Sequence, residues 1–158
     1  MIRYLSIIFF LISTISCSQS KDFKEEINSL LDFDVDTISV TKLVQTDLKE
    51  VLIVDVREKE EFDVSKIPGS VHESELVLDL IDKNKTIIVY CSVGKRSEDF
   101  GRELKEEGFK NVLNLYGGIF QWFNDGNTVI DQNNISTIQI HTYSEKWSKW
   151  VTRGTEIY

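Results

Sequence analysis

The sequence predicts an α/β domain with a central, mostly parallel five-stranded sheet flanked by helices. Three observations carry that expectation. Short apolar, β-branched runs at Val51–Val56 and Thr86–Tyr90 read as buried strands, and Asn111–Leu115 reads as a further short strand. Segments of helical period separate them, which is the alternation of βαβ units. Of the 158 residues, 41% are apolar and 28% charged, enough to bury a core and too little charge for global disorder.

In chain order, residues 1–16 stand apart from the fold. Arg3 is their only charge, Leu5–Ile12 is almost continuously apolar, and the small residues Ser13, Thr14 and Ser16 precede Cys17. A cation, a short apolar stretch and a cleavage site make an export signal, too short to span a bilayer. A cysteine directly after the small residues is similar to the lipobox of bacterial lipoproteins. That similarity implies cleavage before Cys17, lipidation of its sulfur, and a protein exported to the periplasmic side and held at the membrane by its lipid alone. Residues 17–34 then read as a tether and a leading amphipathic helix, with Phe23, Ile27, Leu30 and Leu31 at helical spacing.

The domain is expected over residues 35–126. Asp36–Val40 reads as a strand and Thr41–Leu48 as a short helix capped by Ser39 or Thr41. The run from Val51 ends in Asp55 and Arg57, and Glu58–Phe62 begins an acidic helical turn. Ile67-Pro68-Gly69-Ser70 makes a tight turn. Val71-His72 adds a short strand, and Glu73–Ile81 presents Leu76, Val77, Leu80 and Ile81 as one helix face. The strand Thr86–Tyr90 runs into Cys91, and a helix follows from about Lys95 to Gly108. After Asn111–Leu115, Tyr116-Gly117-Gly118 leads into a small helix carrying Ile119, Trp122 and Phe123. Residues 127–158 are more polar and read as an extension packing on the domain, with Tyr143, Trp147, Trp150 and Tyr158 as its aromatics.

Composition excludes some functions. A net charge of −8 disfavours nucleic acid and anionic membrane surfaces as partners. The isolated His72 and His141 and the lack of a Cys/His cluster give no metal site. The chain has two cysteines; with Cys17 given to lipid, Cys91 is a lone thiol with no disulfide partner. A lone buried cysteine is usually a small hydrophobe. Cys91, however, stands at a strand end before a helix N-terminus, among Ser92, Val93, Gly94, Lys95, Arg96 and Ser97, where a thiolate is favoured.

Four stretches together resemble the rhodanese domain: Val54-Asp55-Val56-Arg57-Glu58 with Glu61-Phe62; Ile67-Pro68-Gly69-Ser70; Tyr90-Cys91-Ser92-Val93-Gly94-Lys95-Arg96-Ser97; and Asn114-Leu115-Tyr116-Gly117-Gly118 followed by Trp122. Two departures stand out. Ser65-Lys66 replaces the frequent Gly-His before Ile-Pro-Gly, and Ser92 stands where some members carry a cation. The resemblance implies a sulfurtransferase without a cofactor, in which Cys91 takes a sulfane sulfur as a persulfide and passes it on. A small sulfur-containing anion such as thiosulfate, or a persulfide, would donate the sulfur; cyanide or a thiol would accept it. Ser92–Ser97 would cradle the leaving anion through their N–H groups, with Gly94 allowing the curl and Lys95 and Arg96 stabilising charge. Asp55 and Arg57 are expected to support the loop, Arg57 paired with Glu58 or Glu61. Four residues separate Cys91 from Arg96, one fewer than cysteine phosphatases of similar fold use around phosphate. The alternative function is a module that carries a persulfide or docks a protein without turnover.

Overall fold

The computed structural model describes residues 22–158; the expected signal peptide and the expected lipidation site, Cys17, lie outside the described residues. Helix α1 covers residues 22–30 and belongs to a separate compact unit from Leu31–Tyr158. No helix among the described residues is long and apolar enough to cross a membrane.

The sheet of the larger unit contains β1 (Thr37–Ile38), β2 (Val51–Asp55), β3 (Val71–His72), β4 (Thr86–Tyr90) and β5 (Asn111–Leu115). Their spatial order is β1-β5-β4-β2-β3, and every pairing is parallel. Both faces are covered, which is why the central strands β2 and β4 are continuously apolar rather than alternating. Ile87, Val89 and Cys91 fall on one face by the two-residue period of a strand, and pack with Val54, Val56, Leu104 and Phe109 in one buried cluster. Ile88 and Tyr90 on the opposite face are equally buried.

The helices are α2 (Val40–Val44), α3 (Lys59–Val64), α4 (Lys95–Glu106) and α5 (Gly118–Asn124). Ser39 is the cap of α2, its hydroxyl accepting from Lys42 N–H. Helix α3 opens with a capping box between Glu58 and Glu61, so this short acidic helix satisfies its own first donors. Gly108, at φ +91°, follows the end of α4 in the left-handed conformation that terminates helices.

One expected helix is absent. Glu73–Ile81 forms two single 3₁₀ turns, Glu73–Glu75 and Leu78–Leu80, with extended residues between and after them. Leu76, Leu78 and Ile81 pack against the core cluster, whereas Val77 is 57% and Leu80 83% exposed. Inward residues two apart, Leu76 and Leu78, follow the extended period, not the helical one. His72 is buried, and its ring nitrogens bond Ser74 Oγ at 2.7 Å and the Arg57 carbonyl at 2.7 Å.

The C-terminal residues are folded against the same unit. Strands β6 (Val129–Ile130) and β7 (Ser136–Thr137) pair antiparallel, and Ile130 also bridges to Lys66. Strands β8 (Gln139–His141) and β9 (Thr155–Ile157) pair parallel around helix α6 (Glu145–Ser148), and β8 packs against α3. Asn124 at the end of α5 ties the tail down by donating to the Trp150 carbonyl and accepting from Thr152.

Candidate active site

The sheet order creates a crevice at one place. After β2 the chain leaves for β3 on one side, and after β4 it leaves for β5 on the other. The two departing loops therefore diverge at the carboxyl ends of adjacent strands, where α/β sheets bind ligands. Asp55 and Tyr90 are register partners at that edge, and Val56 N–H still donates to the Tyr90 carbonyl at 3.0 Å. The next residue after Tyr90 is Cys91.

Cys91 is a free thiol, 1% exposed. The chain turns at Ser92-Val93-Gly94 and enters α4 at Lys95, and the Gly94 N–H donates back to Cys91 Sγ at 3.1 Å. Gly94 has φ +117°, which only glycine adopts without strain, so the turn that aims this amide at the sulfur requires glycine here. Its carbonyl is fixed as firmly: it accepts from Glu98 N–H, from Asn114 Nδ2 at 2.9 Å and from Ser97 Oγ at 3.1 Å. Ser97 and Asn114 are bonded to each other at 2.8 Å and fully buried. Asn114 on β5 thus holds the end of the turn from below.

Glu61 on α3 holds the opposite side. Its carboxylate accepts from Arg96 Nη1 at 2.7 Å, Arg96 Nη2 at 3.0 Å, Ser92 Oγ at 3.2 Å and Glu58 N–H at 3.1 Å. Arg96 Nη2 also reaches Ser92 Oγ at 3.0 Å. Burial opposes the Glu61 charge, but the Arg96 hydrogen bonds and charge, with help from Arg57 and the Glu58 amide, hold its pKa below the usual carboxylate value. Arg96 is in turn held protonated: burial works against it, while Glu61 and the field of a Cys91 thiolate favour the cation. Lys95 is turned to a different group of carboxylates, with Asp32 at 2.8 Å and Asp99 at 3.4 Å.

Arg57 departs from expectation. It pairs with Asp55, not with Glu58 or Glu61: the guanidinium donates to Asp55 Oδ1 at 2.9 Å and Oδ2 at 2.6 Å, and to the Ser65 carbonyl at 2.5 Å. Asp55 also accepts the Arg57 backbone N–H at 3.0 Å, so the pair closes a local ring at the end of β2, while Glu58 and Glu61 are engaged with each other in the α3 capping box. Both side chains are fully buried; burial opposes the Arg57 charge, and Asp55 more than restores it. This places the pair under the crevice as a scaffold.

The Gly117-Gly118 pair serves close approach. Ile119 N–H donates to the Cys91 carbonyl at 2.9 Å and Phe120 N–H to the Ser92 carbonyl at 3.1 Å. A Cβ on Gly118 would lie 2.6 Å from the Ser92 carbonyl oxygen and closer still to that of Cys91. The Cys91 turn is therefore clamped through its carbonyls, which leaves its N–H groups directed elsewhere. Glu61 and Asn114 were within the recognisable sequence motifs, but nothing local marked them as the braces of this turn. Among the described residues no group of His, Cys, Asp and Glu is placed to hold a metal ion.

Comparison with known proteins places the fold in a family. A model of the Rhodanese-like domain matches residues 40–125. A candidate sulfur carrier protein of Bacillus subtilis, YrkF, is 40% identical over 74 residues; the match covers 44% of this chain and 40% of that protein, less than half its length. The thiosulfate sulfurtransferase GlpE of Coxiella burnetii is 33% identical over 78 residues, 47% of this chain and 73% of that one. Among solved structures, a thiosulfate sulfurtransferase from Pseudomonas aeruginosa superposes with a TM-score of 0.56 at 26% identity, over 74% of this chain and 24% of that one.

Proposed function

The chain belongs to the rhodanese-like family of sulfurtransferases and sulfur carriers, and from that premise we propose that it moves a sulfane sulfur from thiosulfate or a persulfide, through Cys91, to cyanide or a thiol. The observation that carries the reading is the Gly94 N–H aimed at Cys91 Sγ, at the top of a strand and the start of a twelve-residue helix. An amide donor and the positive end of a helix favour a sulfur-centred anion there.

The reaction follows from that placement. The Cys91 thiolate attacks the outer sulfur of thiosulfate, forming one S–S bond; the original S–S bond breaks and its electron pair leaves with sulfite. Cyanide then attacks the terminal sulfur of the persulfide, forming thiocyanate and returning the Cys91 thiolate. The thiolate is itself the nucleophile, so no general base is required. The N–H groups of Ser92, Val93, Gly94, Lys95, Arg96 and Ser97 are assigned to the anionic sulfur and the leaving oxygens, and Asp55 and Arg57 to support. Phosphate chemistry is disfavoured because the Arg96 fork is spent on Glu61 and Ser92.

A second reading, a sulfur carrier without turnover, gains support from the pairing of both loop cations with carboxylates, Lys95 with Asp32 and Arg96 with Glu61, which weakens attraction for a small dianion. Intact-mass spectrometry with steady-state kinetics separates the two. Turnover of thiosulfate and cyanide to thiocyanate, lost in Cys91→Ala, supports the enzyme. Gain of one sulfur atom at Cys91 with rates at background supports the carrier. A chain that takes no sulfur from thiosulfate, mercaptopyruvate or glutathione persulfide sinks both. We further propose that the protein is exported and anchored by lipid on Cys17, on the strength of the residue pattern before that cysteine.

A further inference from the structure

We propose that Tyr143, in the C-terminal segment beyond the family's matched region, is a positioning residue for the Cys91 turn, covering the face of the Arg96 guanidinium. The proposal concerns the same site as the sulfur-transfer reading and rests on it for its chemical purpose.

The Tyr143 ring centroid lies 5.2 Å from Arg96 Cζ, within the range of a cation–π contact. Arg96 is thus gripped in two ways. Glu61 and Ser92 engage its N–H groups, and the ring covers its face. Through Nη2, Arg96 holds the hydroxyl of Ser92, the residue next to the nucleophile. A guanidinium with 34% of its side chain exposed would otherwise exchange these bonds with water.

Tyr143 has no evident reason in the core for its placement. It is 58% exposed, yet its backbone has φ +65°, a conformation uncommon outside glycine. Neighbouring bonds impose that turn. Tyr143 N–H donates to His141 Nδ1 at 3.1 Å, Thr142 N–H to the Ile157 carbonyl at 2.8 Å, and Ser144 N–H to the Thr142 carbonyl at 2.7 Å. His141 must be neutral at Nδ1 to accept, and burial favours that form. The strand bearing His141 packs on α3, which carries Glu61, so the segment that presents the ring and the helix that presents the carboxylate form one frame around Arg96. An unfavourable backbone conformation held at an exposed aromatic over a loop cation is strain placed at a working site.

The test compares Tyr143→Ala with Tyr143→Phe in the full chain. Alkylation of Cys91 is followed with anionic iodoacetate and neutral iodoacetamide and read by peptide mapping, so that Cys17 does not contribute. With the ring gone, Arg96 is held less firmly on the Cys91 turn, and the iodoacetate-to-iodoacetamide rate ratio falls by up to about two- to fivefold, the usual worth of an exposed cation–π contact. The phenylalanine variant keeps the face and the wild-type ratio. An unchanged ratio in Tyr143→Ala, or an equal fall in Tyr143→Phe, overturns the proposal. Sulfur loading from thiosulfate is measured on the same samples. A wild-type chain that takes no sulfur but shows the ring-dependent ratio removes the sulfur-transfer reading and leaves the positioning role standing.

Discussion

Replacing Glu61 with glutamine keeps the shape of the side chain and removes its charge. The buried carboxylate accepts four hydrogen bonds, three of them from Arg96 and Ser92, and glutamine retains only one oxygen acceptor for them. Breaking a buried ion pair by removing one partner costs about 3–5 kcal/mol, but Arg96 can turn partly to water, which reduces the loss to roughly 2–3 kcal/mol. For a domain of this size that lowers Tm by about 6–12 °C. The melting curve is followed by circular dichroism, with sulfur loading of Cys91 measured on the same preparation; loading falls because Ser92 and Arg96 lose their common anchor. The pH dependence carries the sign. The folded pKa of Glu61 lies below its ordinary value of 4.5, so its stabilisation is complete above that pH and is lost as the pH falls through the folded value. Glu61→Gln should therefore flatten the acid limb of the stability curve below pH 4.5. A variant that melts within 1 °C of wild type, roughly the error of such a comparison, and loads sulfur at the wild-type rate would refute the bracing role.

Two other outcomes are expected. Gly118→Ala would press a methyl group onto the Cys91 and Ser92 carbonyls at a backbone φ of +54°, so it should cost about 2–4 kcal/mol and depress sulfur loading; equal urea midpoints would contradict the clamp. Metabolic labelling with a fatty-acid probe in a bacterial host should mark the wild-type chain and not Cys17→Ser, and label retained by the serine variant would remove the lipid anchor from the reading.

The division between what the chain declares locally and what it declares only when folded is sharp at this site. Thr86–Tyr90 was readable to the residue, because a strand buried on both faces reads as a nearly unbroken apolar run, and Asn111–Leu115 was readable from its place between a helix-ending glycine and the Tyr116-Gly117-Gly118 turn. The turn from Cys91 into α4 was readable for a related reason: a glycine between a strand and a helix start leaves few backbone routes. Glu73–Ile81 misled, because apolar residues at helical spacing also arise where 3₁₀ turns alternate with extended residues, and only the position of the core decides which of them face inward. Arg57 misled in the opposite sense: Asp55 takes both the backbone N–H and the guanidinium of Arg57, while Glu58 and Glu61 are engaged in the capping box of α3.

The sequence by itself therefore determined the parallel sheet, the place of Cys91 at a strand end and the turn that holds it, since these follow from local backbone preference and the burial of short strands. Only the tertiary structure decided what holds that turn in place. Glu61 reaches Arg96 from 35 residues away, Asn114 reaches Gly94 from 20, and Tyr143 arrives from the far end of the chain. Contacts between residues so distant depend on which loops the strand order brings to one edge, and no local pattern of residue types encodes that order.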